Sequence, residues 1–168
     1  MTLGLDIFMK YRQWLESAEM LTQRTLSMSG TFYHVTNQQN AQKILQSGFS
    51  FNNIGKGFGY VDLGEPVGLS LFLKKDDANE FLKSNVLLAV KVSQVKTLDA
   101  RNIDNGSWVK HDGGWGEFIS HFFNIEGEDV FDRDFVTNLL RKNGFNAVLH
   151  SGELRLLDLK HITSVNNA

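Results

Sequence analysis

The chain has 168 residues, the size of one domain, with 42% hydrophobic and 21% charged residues, so it can fold around a proper core and is neither disordered nor fibrous. Its formal net charge of -2 comes from 17 basic and 19 acidic residues without a basic stripe, which gives no reason to expect charge-driven binding to nucleic acid. No cysteine is present, which excludes a disulfide framework, a thiolate metal site and a cysteine nucleophile.

The amino-terminal stretch carries Asp6, Lys10, Arg12 and Glu16, so it lacks the uninterrupted apolar run of a signal peptide or membrane span. A soluble, cytoplasmic protein is expected, or one delivered into a target-cell cytoplasm, without a membrane partner. From Asp6 to about Leu26, Ile7, Tyr11, Trp14, Ala18 and Leu21 recur at helical spacing and predict an amphipathic helix, with residues 1–28 assigned to it.

Ser27, Ser29 and Gly30 interrupt that pattern, and TFYHVT reads as a buried strand with Phe32, His34 and Thr36 on one face. Thr36 or Asn37 can cap the next helix, whose stripe is Ala41, Ile44 and Leu45 and whose stop is Gly48. Between Phe49 and Gly68, Gly55, Gly57, Gly59, Gly64 and the only proline, Pro66, predict a loop that can lie over a site. GLSLFL then reads as a strand, DDANEFLKS as a short helix and VLLAVKV as a buried strand.

From Arg101 to Gly127 the pattern is weakest, with HFFNI giving the one brief strand signal. RDFVTNLLRKNG predicts a helix through Phe135, Leu139 and Leu140 that ends at Gly144. FNAVLH and ELRLLDL follow as two strands, joined at Ser151 and Gly152 in an antiparallel hairpin. Strands outnumber helices and come in neighbouring pairs, the signature of a single α+β domain over residues 1–168.

Two residues stand out for chemistry. His34 sits within an aromatic strand beside Thr36, and taken alone a strand histidine is most often a hydrogen-bonded core residue. Glu153 opens a strand directly after a turn, where a carboxylate projects into a cleft or simply solvates an edge. His34, His111, His121, His150 and His161 form no close pair and no HExxH, so no metal is expected. GKGFG is followed by neither the Lys-Ser nor the Lys-Thr of a P-loop, and no GxSxG is present.

Taken in order, FYHVT, the helix ending in ILQSGF, GLSLFLKKDDANEF and GFNAVLHSGELRLLDLKHI resemble the diphtheria-toxin-like and poly-ADP-ribose-polymerase-like branch of the ADP-ribosyltransferases, over about Thr31 to Ile162. That branch carries His in its first strand, Tyr in its second motif and usually Glu at the start of a late strand. His34, Ser70 and Glu153 stand in that order here, with Ser in place of Tyr and Val35 in place of the usual following Gly. Gly68, Ala78 and Phe81 fall where the second motif has Gly, Ala and a further Tyr.

The resemblance implies a split antiparallel β-sheet core over residues 31–162, flanked by short helices and preceded by the amino-terminal helix. It also implies NAD as co-substrate and no metal. In that reading His34 bonds a ribose hydroxyl, backbone groups around Val35 hold the nicotinamide amide, and Phe81 stacks on the nicotinamide ring. Thr36, Gly68 and Ser70 complete the binding cleft, and Tyr60 is a candidate substitute for the missing tyrosine wall. Breaking the nicotinamide–ribose bond builds positive charge on the sugar, which a carboxylate stabilises, and Glu153 takes that role.

The implied activity is transfer of ADP-ribose, with release of nicotinamide, by a bacterial or phage toxin or effector. The implied acceptor is an unidentified macromolecule, a protein rather than a nucleic acid. Ser151 stands where arginine-modifying relatives have Glu or Gln, which disfavours arginine as the acceptor. Two alternatives stay open. One is a catalytically silent binding module of the same fold, favoured by Ser70 and by the apolar helix face. The other is an NAD-dependent RNA 2′-phosphotransferase, for which Arg101, Arg133, Arg141 and Arg155 are dispersed along the chain.

Overall fold

A computed structural model describes residues 10, 12, 15, 16, 18–54, 64–101, 114–150 and 152–168. Its strands are β1 (Thr25–Thr36), β2 (Leu69–Phe72), β3 (Val86–Asp99), β4 (Ala147–His150), β5 (Glu153–Leu156) and β6 (Ile162–Asn167). Its helices are α1 (Gln38–Ser47), α2 (Lys75–Asn79), α3 (Gly114–Phe123) and α4 (Arg133–Lys142), with short 3-10 turns at Phe51–Asn53, Glu128–Phe131 and Leu159–His161.

The strands lie in the order β1-β2-β5-β4-β3, and β1 also pairs with β3, so five strands close into a ring with β6 added alongside β3. The fold is therefore α+β with a small closed barrel. One pairing, β3 with β4, is parallel, whereas the other pairs are antiparallel. This departs from the expected all-antiparallel core, and the reason is the connection: α3 and α4 carry the chain back from the end of β3 to the start of β4, the crossover that a parallel pair needs.

Length of partner decides where β1 begins. β3 pairs with β1 along its whole course, from Thr25 opposite Leu98 to Thr36 opposite Val86. That partner recruits Thr25 to Gly30 into the strand, so the expected helix ends at residue 23 and Leu26 belongs to β1. Ser29 and Gly30 mark a bulge instead of a break: the register shifts between Met28 and Gly30, and Ser29 Oγ accepts the Gln94 N–H at 2.8 Å. The strand system likewise runs past residue 162, because β6 uses Ile162 to Asn167.

Of the amino-terminal apolar face, Ile7, Tyr11 and Trp14 lie outside the described residues, Ala18 is exposed and Leu21 packs on the helical core. Arg24 fixes this junction, with Nη1 donating to the Asp99 carbonyl at 3.0 Å and its guanidinium lying over the Phe118 and Phe122 rings.

Two apolar clusters form. One draws on strands alone, with Phe32, Leu69, Leu71, Val90, Val92, Val95, Ala147, Leu154 and Leu156 from all five ring strands. The other packs α3 and α4 on the outside of the ring through Trp115, Phe118, Ile119, Phe122, Val136 and Leu140, against Leu98 and Val148. HFFNI is thus no strand: residues 121–123 end α3, and 115, 118, 119 and 122 form its buried stripe at helical spacing.

Asn37 caps α1, its side chain accepting the Asn40 N–H at 2.8 Å, and Gly48 follows with φ 76°. Only part of the expected stripe is inside. Ala41 is buried and Ile44 half-buried, whereas Leu45 is exposed. Among the described residues no helix is long and apolar enough to cross a membrane.

Candidate functional site

Alternation along β2, β5 and β4 sorts side chains onto two faces, because residues opposite one another in an antiparallel pair share a face. Leu69, Leu71, Leu154 and Leu156 point into the ring. Ser70 stands opposite Arg155, Phe72 opposite Glu153, and Glu153 in turn opposite His150, all on the other face. The hairpin turn before Glu153 has Gly152 at φ 81°, with Ser151 outside the described residues.

Arg155 is the hub of this face. Its Nη1 pairs with a Glu65 carboxylate oxygen and donates to the Pro66 carbonyl at 3.1 Å. Its Nε donates to Ser70 Oγ at 3.3 Å, and Nη2 lies 3.7 Å from Glu153 Oε2. Glu65 and Arg155 are largely buried, with side chains 8% and 17% exposed, whereas the Glu153 side chain keeps 35% of its surface open. A carboxylate held beside a buried cation yet open to solvent can meet a substrate.

His34 occupies the seam between β1 and β2. These strands share a single register pair, Tyr33 with Phe72, and His34 Nδ1 lies 3.2 Å from the Ser70 carbonyl oxygen beside it. A carbonyl can only accept, so Nδ1 carries the proton and Nε2 is left as an acceptor. Burial holds the His34 pKa below the ordinary histidine value, partly offset by the Ser70 bond. The ring, set edge-on to Phe49 at 5.2 Å, is therefore neutral at pH 7.

Ser70 thus joins the two principal candidates: its carbonyl touches His34 and its hydroxyl touches Arg155, which reaches Glu153. Gly68 precedes β2 at a place where a Cβ would stand 2.5 Å from the Leu156 carbonyl oxygen and 2.7 Å from Arg155 Cγ, so no larger residue fits unshifted. Phe81 follows α2, 56% exposed, and stacks on Phe72 at 5.2 Å and 29°, while Ala78 is fully buried beneath that turn.

Val35 and Thr36 lie further along β1, half-buried and opposite Leu87 and Val86. Tyr60 lies outside the described residues.

Below Glu153 a small cleft is lined by Pro66, Trp115, Val148, His150, Glu153 and Arg155. Trp115 sits edge-on to His150 at 5.1 Å, and its buried indole Nε1 has no hydrogen-bond partner among the described residues. Neither His150, Trp115 nor Glu65 is singled out by a motif. Arg155 could have been, since period-two alternation in ELRL puts it on the face of Glu153. Among the described residues no group of three or more His, Asp or Glu side chains is arranged to hold a metal ion.

No family model matches the chain, and no curated protein matches it. It has a weak likeness, at TM-score 0.39 and 10% identity, to a solved structure, the M. tuberculosis MbcT–MbcA toxin–antitoxin complex, covering 93% of this chain and 92% of that chain. MbcT is the toxin of that pair. A likeness this loose carries no argument about what this chain does.

Proposed function

We propose that the protein is an NAD-dependent mono-ADP-ribosyltransferase of the toxin or effector kind, with a split-sheet transferase core formed by the seam between β1 and β2. The observation that carries the reading is the link from His34 through Ser70 and Arg155 to Glu153, which gathers the three motif positions of the resemblance around one short strand.

The donor set fits NAD. Neutral His34 presents Nε2 to a ribose hydroxyl, the exposed Phe81 ring offers a π face to a cationic ring, and Glu153 offers an open carboxylate. NAD supplies a nicotinamide–ribose bond whose cleavage leaves positive charge on the sugar. Glu153 faces that charge, and Ser70 supplies a hydroxyl where the family has an aromatic wall.

Nicotinamide release and transfer of label from NAD to lysate proteins test the reading. Glu153→Ala is expected to lower release by about 100-fold or more while the protein stays folded. Absence of release by the parent protein overturns the reading in favour of a silent module, and full activity in Glu153→Ala overturns the assignment of the carboxylate.

A further inference from the structure

The resemblance gives Arg155 no part to play, yet it touches three segments at once: the 64–68 segment through Glu65 and Pro66, β2 through Ser70 and β5 through Glu153. A guanidinium is a rigid planar fork, so contacts made by its several nitrogens fix the relative placement of the groups that receive them.

The segment carrying Glu65 is itself braced. Gly64 N–H donates to the Phe131 carbonyl at 3.0 Å, Arg133 Nε to the Glu65 carbonyl at 2.9 Å, and Val67 N–H to Thr137 Oγ1 at 2.7 Å. Thr137 Oγ1 is held in turn by donating to the Arg133 carbonyl at 2.6 Å. Helix α4 therefore anchors Glu65, Glu65 anchors Arg155, and Arg155 reaches the comparatively open carboxylate of Glu153.

From this chain of contacts we infer that Arg155 is a positioning residue for Glu153, with Glu65 as its anchor. The role rests on the transferase reading above. A buried ion pair contributes little net stability compared with apolar packing of the same volume, so geometry at the site is the natural return on burying this one.

The test follows nicotinamide release from NAD in the parent, Arg155→Lys, Glu65→Gln and the Glu65→Gln/Arg155→Gln double variant, with folding checked by circular dichroism. The double variant removes both charges together, so neither is left buried alone. It is expected to lower kcat about 10- to 100-fold, since a small misplacement of a reacting group has that effect. KM for NAD is expected to change by less than about 2-fold, because substrate binding is not what is lost.

Arg155→Lys should keep more of kcat than the double variant does, because the cation beside Glu153 is retained while the planar fork is lost. A folded double variant with parental kcat overturns the role, and so does a loss carried by KM alone. Where the double variant does not fold, Arg155→Lys decides: lowered kcat at unchanged KM supports the role and parental kcat overturns it. A parent without nicotinamide release overturns the transferase reading and this role with it, whereas an active parent with an equally active, folded double variant overturns the role alone.

Discussion

On the helical side of the strand ring, Trp115, Phe118, Ile119, Phe122, Val136 and Leu140 are each no more than 3% exposed and pack into one apolar cluster. Elsewhere on the ring, β5 carries Arg155 between two carboxylates, and β1 carries a neutral histidine against a backbone carbonyl. Apolar burial stabilises at about 25 cal/mol per Å², whereas a buried ion pair roughly repays its own desolvation. The helical side therefore holds the fold together, and the polar face holds particular atoms in place. That division can be broken or sharpened by substitution.

The largest effect is expected on the apolar side. Phe118 is fully buried, with ring centroids 4.5 Å from Phe122 and 6.2 Å from Trp115, and Arg24 lies over it. Phe118→Ala should cost about 3–5 kcal/mol, read as a lower urea midpoint, because the cavity is walled by side chains that cannot all collapse into it. Nicotinamide release per folded molecule should be unchanged. A matching fall in release per folded molecule would show that the two regions are one cooperative unit.

Gly68 belongs to both regions, and there the comparison sharpens. An alanine methyl would meet the Leu156 carbonyl oxygen on one side and the Arg155 stem on the other, so backbone or hub has to move. Gly68→Ala should cost about 1–3 kcal/mol by overpacking. It should also lower nicotinamide release in the folded fraction, because Arg155 is displaced. Loss of stability with release intact would place the shift in the backbone of β5 and spare the hub.

Which parts of this were legible beforehand follows from how local the determining forces are. The hairpin of β4 and β5, the cap at Asn37 and the helix ending near Gly144 are set by neighbours in sequence, and they lie where the pattern puts them. The extension of β1 back to Thr25 was hidden, because it depends on the length of β3, some sixty residues further on. α3 was hidden for a different reason: Gly114 and Gly116 disfavour a helix, and Phe122 and Phe123 read as strand, until burial against the ring decides the matter.

At the site, His34, Ser70 and Glu153 could be named in order from motif resemblance, but their connection could not. It runs through Arg155, whose place on the face of Glu153 follows from the alternation in ELRL, but whose anchor, Glu65, comes from a loop far back in the chain and leaves no local pattern. Leu45, placed in the apolar stripe by spacing alone, is exposed because α1 meets the body of the protein along a face narrower than that stripe.

The smallest effect expected is electrostatic and belongs to His34. Because burial lowers its pKa in the folded protein, the unfolded chain takes up a proton first as the pH drops through about 6.5. Above that value the residue is neutral in both states and has no influence on the pH dependence of folding. Below it the unfolded state binds more protons, so stability falls with falling pH until the folded pKa is passed, at no more than about 1.4 kcal/mol per pH unit.

His34→Gln keeps a donor for the Ser70 carbonyl and cannot titrate in this range. Urea midpoints at pH 7.5 and 5.5 should therefore differ more for the parent than for His34→Gln, the other histidines being common to both. Equal differences would mean that the imidazole is solvated well enough to charge in place. The polar seam would then be no drier than the surface, and its separation from the apolar side would be one of composition alone.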